Sequence, residues 1–324
     1  MQKICVNMEY LILILSLAGI VLGADFLVKG AVVVARKCRV SSFVIGAVIV
    51  GIGTSLPELV VSTVGAIGGN SEVAIGNVVG SNIFNVFAIL GLTALFFPIA
   101  VSRENMKFEI PFCIAVSVLL MLLVYNFFVG GEPRLGRWDG AALLLVFTSF
   151  MWISLRRGKS TAATVGESVE EENKSLWFAA FSILGGLAAL IVSSNFFVDE
   201  AVAIARKLGV SDAFISITLL ACGTSLPELA ASVTAAVKKD TDMALGNIIG
   251  SNIFNVTMIL GTASLITPLT TGKIGLVDYG AMILAAVLPM IFGIRGKITR
   301  FEGLLMLLCY AAYTWYIVTY VMAV

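Results

Sequence analysis

The chain has 324 residues, 59% of them hydrophobic and only 13% charged, with a formal net charge of +1 and a mean hydropathy of +1.02. A soluble domain carries about 25% charged residues because its surface must be wetted, so this composition excludes a water-soluble fold. Near-neutral charge without a basic stripe argues against nucleic acid as a partner, and five scattered cysteines with no histidine argue against a disulfide framework or a zinc or iron site.

Crossing ~30 Å of hydrocarbon takes about 20 apolar residues, and the expected fold is all-α and membrane-integral, with ten transmembrane helices. The first, 10–35, follows Lys3 and could pass for a secretory leader. It is too long for one, lacks a small-residue cleavage site and continues into Asp25 and Lys29. Four more follow at 42–68, 72–98, 108–129 and 138–155. Residues 156–175, rich in Arg, Lys, Ser, Thr and Glu, read as a linker too short for a regulatory domain. The second set runs 176–207, 212–237, 242–267, 276–294 and 301–322. The chain thus divides into a five-helix unit at 1–155, a linker at 156–175 and a second unit at 176–324. In the loops, 14 Lys and Arg residues follow odd-numbered helices and 6 lie on the opposite side. By the positive-inside bias the linker is predicted cytoplasmic and both termini external, in a cell (plasma or inner) membrane. Trp138, Trp152 and Trp177 fall near span ends, where indoles anchor to the interface.

The two units repeat one another. Residues 53–91 begin GTSLPEL and continue through GNVVGSNIFN; residues 223–261 begin GTSLPEL and continue through GNIIGSNIFN. At a fixed offset of 170, 22 of 39 positions are identical without a gap, which chance does not produce. Five helices separate equivalent positions, an odd number, so the second copy enters the membrane upside down. Inverted repeats of this kind place a site at the midplane, between the copies. Small residues repeated for packing alone would read similarly, but packing does not call for the polar residues in the motifs.

In each motif a Gly-Thr-Ser-Leu-Pro-Glu run interrupts an apolar helix. Proline removes a backbone donor and clashes with the preceding turn, so breaks are expected just before Pro57 and Pro227, releasing carbonyls around 51–54 and 221–224. Non-helical backbone at membrane depth persists only where something satisfies it, and a cation suits carbonyl oxygen. Thr54 and Glu58 share a helical face, as do Thr224 and Glu228; Ser81 and Asn85 repeat that spacing, matched by Ser251 and Asn255. The pooled ligands are two carboxylates, hydroxyls, amide oxygens and carbonyls, with no sulfur or imidazole. Such shells suit Na⁺ and Ca²⁺ better than Mg²⁺, which dehydrates reluctantly. Two unpaired ionised glutamates at the midplane would each cost several kcal/mol, and no Lys or Arg lies within a helical turn of either. One Ca²⁺, or two or more Na⁺, cancels both charges. Only loaded forms would then rearrange, which makes exchange obligatory.

At these motifs the sequence resembles the cation/calcium antiporter superfamily, and within it the prokaryotic type of the sodium/calcium exchanger family, over essentially the whole chain. The resemblance implies that Glu58 and Glu228 are central ligands shared by calcium and sodium. It implies that Thr54, Ser55, Ser81, Thr224, Ser225 and Ser251 flank them in sodium sites, with the carbonyls of Gly51 and Ala221, and that Asn85 and Asn255 lie at the centre. It further implies Ca²⁺ and Na⁺ as transported substrates, with no cofactor, no enzymatic chemistry and no obligatory protein partner. Several relatives, potassium-dependent ones among them, carry Asp where this chain has Asn255, which favours a potassium-independent exchanger. Proton/calcium exchange through the same glutamates is the alternative; its usual motif around the glutamate differs. Asp25 with Lys29 reads as an interfacial pair, as do Asp199 and Glu200. Cys222 reads as packing.

Overall fold

The computed structural model describes residues 2–126, 132–158, 174–209 and 221–321. Among them, eight helices are long and apolar enough to cross a membrane, and a broken pair makes a ninth span. In chain order they are α1 (Gln2–Cys38), α2 (Ser42–Thr54) and α3 (Leu56–Ile67), which meet at 46°, α4 (Ser71–Phe96), α5 (Arg103–Val124) and α6 (Arg137–Gly158). There follow α7 (Leu176–Lys207), the shorter apolar α8 (Leu226–Val237), which is not counted among these spans, α9 (Thr241–Ile266), α10 (Leu276–Gly293) and α11 (Arg300–Tyr316). The helix expected at 212–237 is represented by α8 and a single turn, Ala221–Gly223. Its first part, most of the linker, the end of the fourth expected helix and residue 322 lie outside the described residues.

Two helices form the centre. In α4 and α9, 72% and 83% of the apolar window is buried, against 11–44% in the other long spans. Lipid is as apolar as leucine, so association rests on close packing through small residues. A Cβ at Gly23 of α1 would lie 2.8 Å from the backbone nitrogen of Leu190, and one at Gly186 of α7 2.6 Å from that of Leu27. The α2–α9 contact is as intimate: a Cβ at Gly246 would meet the Phe43 carbonyl oxygen at 2.2 Å, and one at Gly250 the Cα of Ala47 at 2.4 Å.

Three features depart from the expected helices. Short antiparallel pairings join β1 (Ile99–Ala100) to β4 (Lys297–Ile298) and β2 (Arg134–Leu135) to β3 (Leu269–Thr270). They use backbone groups left open where the helices stop. Helix α5, the fourth of the expected spans, is interrupted at Phe108 (φ −136°, ψ −62°). Wide π turns, the looser i→i+5 winding, occupy Gly46–Val50, Asn85–Leu90 and Asn255–Ile259. Asp25 does pair with Lys29 at 2.6 Å and also takes Lys238 at 2.7 Å, tying α1 to the turn after α8. Lys207 of α7 pairs with Glu9 of α1. Trp138 and Trp177 are exposed, and Trp152 carries the Arg156 guanidinium over its ring at 3.9 Å.

Candidate cation site

The two breaks put both glutamates on fresh helix starts. Ser55 (φ −84°, ψ 9°) leaves the helical region and α3 begins at Leu56, with Pro57 in its first turn and Glu58 behind it. Ser225 (φ −91°, ψ 7°) does the same before α8, Pro227 and Glu228. Proline fits there because the first N–H groups of a helix have no intrahelical partner. The positive end of the helix dipole also favours a carboxylate in the first turn.

Both carboxylates are fully buried, and the halves hold them crosswise. Ser55 Oγ donates to Glu228 Oε1 at 2.8 Å, while Ser225 Oγ donates to Glu58 Oε1 at 3.0 Å. Ser81 Oγ lies 3.4 Å from Glu58 Oε1 and 3.0 Å from Ser225 Oγ. Thr224, half-buried, precedes Ser225 at the second break. Thr54 Oγ1 lies 3.0 Å from the Val50 carbonyl and 3.3 Å from Asn247 Oδ1. Ser251 Oγ donates to the Gly51 carbonyl at 3.2 Å. The hydroxyl protons are thus turned toward acceptors, which leaves oxygen lone pairs for a positive ion. Thr54, Ser55, Ser81, Asn85, Ser225, Ser251 and Asn255 are buried with the glutamates. Ala221 opens the helical turn before the second motif.

Among the described residues, four buried oxygens in this cluster have no hydrogen-bond partner: Glu58 Oε2, Glu228 Oε2, Asn85 Oδ1 and Asn255 Oδ1. A buried acceptor without a donor is costly, and four together, two from each half, form a set that a hard cation satisfies. The expected release of the Gly51 carbonyl does not occur as drawn from the sequence. The break falls after Thr54, so Gly51 O keeps its helical donor, Ser55 N, at 3.1 Å, besides Ser251.

Four further asparagines belong to this architecture and were not singled out from the sequence. Asn77 Nδ2 donates to the Glu58 carbonyl at 3.3 Å and to Ser62 Oγ at 3.0 Å; Asn247 Nδ2 does likewise to the Glu228 carbonyl at 3.2 Å and Ser232 Oγ at 2.8 Å. Asn82 and Asn252 bond reciprocally across α4 and α9: Asn82 Nδ2 donates to the Asn252 carbonyl at 3.1 Å, and Asn252 Nδ2 to the Asn82 carbonyl at 3.2 Å. Their repetition at the offset of 170 was the available signal. Cys222 Sγ lies 3.5 Å from Tyr310 Oη.

Asn247, Gly246 and Gly250 are buried beneath α2; the segment at the repeat offset from α2, 212–224, lies largely outside the described residues.

The sodium/calcium exchanger protein family profile matches residues 8–156 and 178–319. The chain is 37% identical over 313 residues to a putative antiporter, CaxA, of Alkalimonas amylolytica, covering 93% of this chain and 96% of that one. It is 34% identical to the sodium/calcium exchanger MaX1 of Methanosarcina acetivorans, covering 95% and 98%. Among solved structures it is similar to the sodium-calcium exchanger NCX_Mj soaked with 10 mM Na⁺ and zero Ca²⁺, with a TM-score of 0.82 and 32% identity over 97% of this chain and 99% of that one. A multi-pass helical membrane protein matched across both halves in this way belongs to the sodium/calcium exchanger protein family.

Proposed function

We propose that this chain is a secondary antiporter exchanging Na⁺ for Ca²⁺ by alternating access, with Glu58 and Glu228 as the shared ligands. One observation carries the reading: four buried oxygens without partners, contributed in matched pairs by the two motifs. Two carboxylates held without a fixed counter-charge need the mobile ion to neutralise them. Thr54, Ser55, Ser81, Thr224, Ser225 and Ser251 flank them as further oxygen ligands, with the carbonyl of Ala221. This is room for more than two Na⁺ against one Ca²⁺, which makes the exchange electrogenic. Asn255, an amide rather than an acid, leaves no third carboxylate, in keeping with potassium independence.

Ten spans arranged as two inverted five-helix repeats, 1–155 and 176–324, give these residues their places. Ile99–Ala100 and Leu269–Thr270 are separated by the repeat offset, and each pairs with a strand of the opposite half. That supports one such junction on each membrane face. With the linker at 156–175 cytoplasmic, α2 closes against α9 on the cytoplasmic side of the site. The protein would sit in the cell membrane with both termini external.

Proton-coupled calcium transport through the same glutamates is the second reading, kept open by the antiporter name of the Alkalimonas relative. Proteoliposomes separate the two. Radiocalcium uptake should be driven by an outward sodium gradient and accelerated by valinomycin with equal potassium on both sides. Uptake driven equally well by a pH gradient without sodium would reject sodium coupling.

A further inference from the structure

We propose that Asn82 and Asn252 are positioning residues that fix the amides of Asn85 and Asn255 so that only oxygen faces the cation, a step that rests on the cation-site reading above. A backbone carbonyl can only accept a hydrogen bond. The carbonyl of Asn252 therefore dictates that Asn82 turns Nδ2 toward it, at 3.1 Å. The other end of that amide, Asn82 Oδ1, must then face Asn255, and being an acceptor it takes Asn255 Nδ2 at 3.1 Å. Asn255 Oδ1 is left pointing away, and it is one of the four buried oxygens without a partner. The mirror chain runs from the Asn82 carbonyl to Asn252 Nδ2 at 3.2 Å, then from Asn252 Oδ1 to Asn85 Nδ2 at 3.0 Å, and ends on the unpartnered Asn85 Oδ1. Flipping Asn85 or Asn255 sets oxygen against oxygen and turns an N–H toward the ion, while flipping Asn82 or Asn252 sets its oxygen against a main-chain carbonyl and its N–H against the N–H of the next amide. Two main-chain carbonyls, fixed by the helices α4 and α9, thus set the polarity of both central amides.

Outer partners of a metal ligand typically account for roughly tenfold to a hundredfold in affinity, and Asn82→Leu should raise the calcium dissociation constant by that factor. The deciding measurement is a double-mutant cycle in radiocalcium binding to the purified full chain, with monodispersity by gel filtration as the folding check. Asn255→Ala should weaken calcium on its own. In the Asn255→Ala background Asn82→Leu should add less than roughly twofold, because residues that act through one another do not add. Full multiplicative effects, or an unchanged affinity in Asn82→Leu beside a weakened Asn255→Ala, would overturn the positioning role while leaving the cation site intact. Unchanged calcium binding in Asn255→Ala would instead remove Asn255 from the site and take the proposal with it. Should Asn82→Leu fail to give a monodisperse protein, Asn252→Leu with Asn85→Ala poses the same question from the other half.

Discussion

Glu58→Gln should abolish calcium exchange and at the same time stabilise the cation-free protein. Glutamine keeps the shape and can still accept the Ser225 and Ser81 hydroxyls on Oε1, at 3.0 and 3.4 Å in the native site. What changes is Oε2, a buried oxygen with no partner, which becomes an NH₂ directed at the same space. Two unit charges 4 Å apart interact by about 4 kcal/mol at an effective dielectric of 20, so a divalent ion gains about 8 kcal/mol from one carboxylate. The carboxylate is already desolvated in the empty protein, so that cost does not offset the loss on binding. At about 1.4 kcal/mol per factor of ten, calcium affinity should fall by at least about a thousandfold. The effect on stability has the opposite sign. An unsatisfied amide costs about 1–3 kcal/mol, less than an unpaired buried ion, so the unfolding temperature in chelator-containing, sodium-free buffer should rise. Calorimetric titration with calcium and thermal unfolding in detergent read the two effects on one preparation. Calcium affinity within tenfold of the native protein would remove Glu58 from the site. A lost affinity with no gain in stability would mean that Glu58 is already neutral when empty, and the charge argument for obligatory exchange would fail.

Gly246→Ala places a methyl 2.2 Å from the Phe43 carbonyl oxygen, and overpacking of this kind costs about 1–3 kcal/mol, so the unfolding temperature should fall; an unchanged one would contradict the close α2–α9 contact. Asp240 caps α9 by accepting from Met243 N at 3.0 Å, and burial pushes its carboxyl above the ordinary value of 3.8, only partly opposed by hydrogen bonds to Met243 and Ser42 and by Arg36. The folded protein therefore holds this proton more tightly than the unfolded chain, and the contribution to stability is lost as pH rises from about 3.8 through the raised value. Asp240→Asn keeps the cap acceptor and removes the titration. The native protein should lose stability relative to this variant across that window, and parallel melting curves would contradict the assignment.

Much of this architecture was legible because hydropathy and duplication are properties of the chain itself. Spans follow from apolar runs, and the breaks follow from Pro57 and Pro227 within motifs that repeat at one offset. The break could not be placed to the residue, since Ser55 N still reaches Gly51 O and only the residue after Thr54 leaves the helix. The asparagine clasp was illegible for a different reason. Its partners lie 167–173 residues apart in sequence, and nothing in either motif states which face of α4 meets which face of α9. The two-residue strands carry too few side chains to show a period, and the π turns at Asn85 and Asn255 differ from α-helix only in backbone winding.

In the proposed site, the donors leave part of the glutamates' charge for an ion to neutralise. Each glutamate sits at a helix start, where the dipole supplies about 0.3–1 kcal/mol at exposed sites and up to ~2 kcal/mol in favourable buried ones. Each also accepts a hydroxyl from the opposite motif, Ser55 to Glu228 and Ser225 to Glu58, worth about 1.5–3 kcal/mol for a charged acceptor. Together these soften but do not cancel a desolvation penalty of several kcal/mol per ion. An arginine in the same place would cancel it permanently, and the site would then have no use for a cation. Because the serines cross between halves, neither half holds a finished site. A cation that bridges Glu58 and Glu228 must engage both motifs together, and separating them would break both serine contacts and expose two charges to a low dielectric. On the proposed reading, loading and rearrangement are one coupled event, driven by the charge that the fixed groups leave uncompensated.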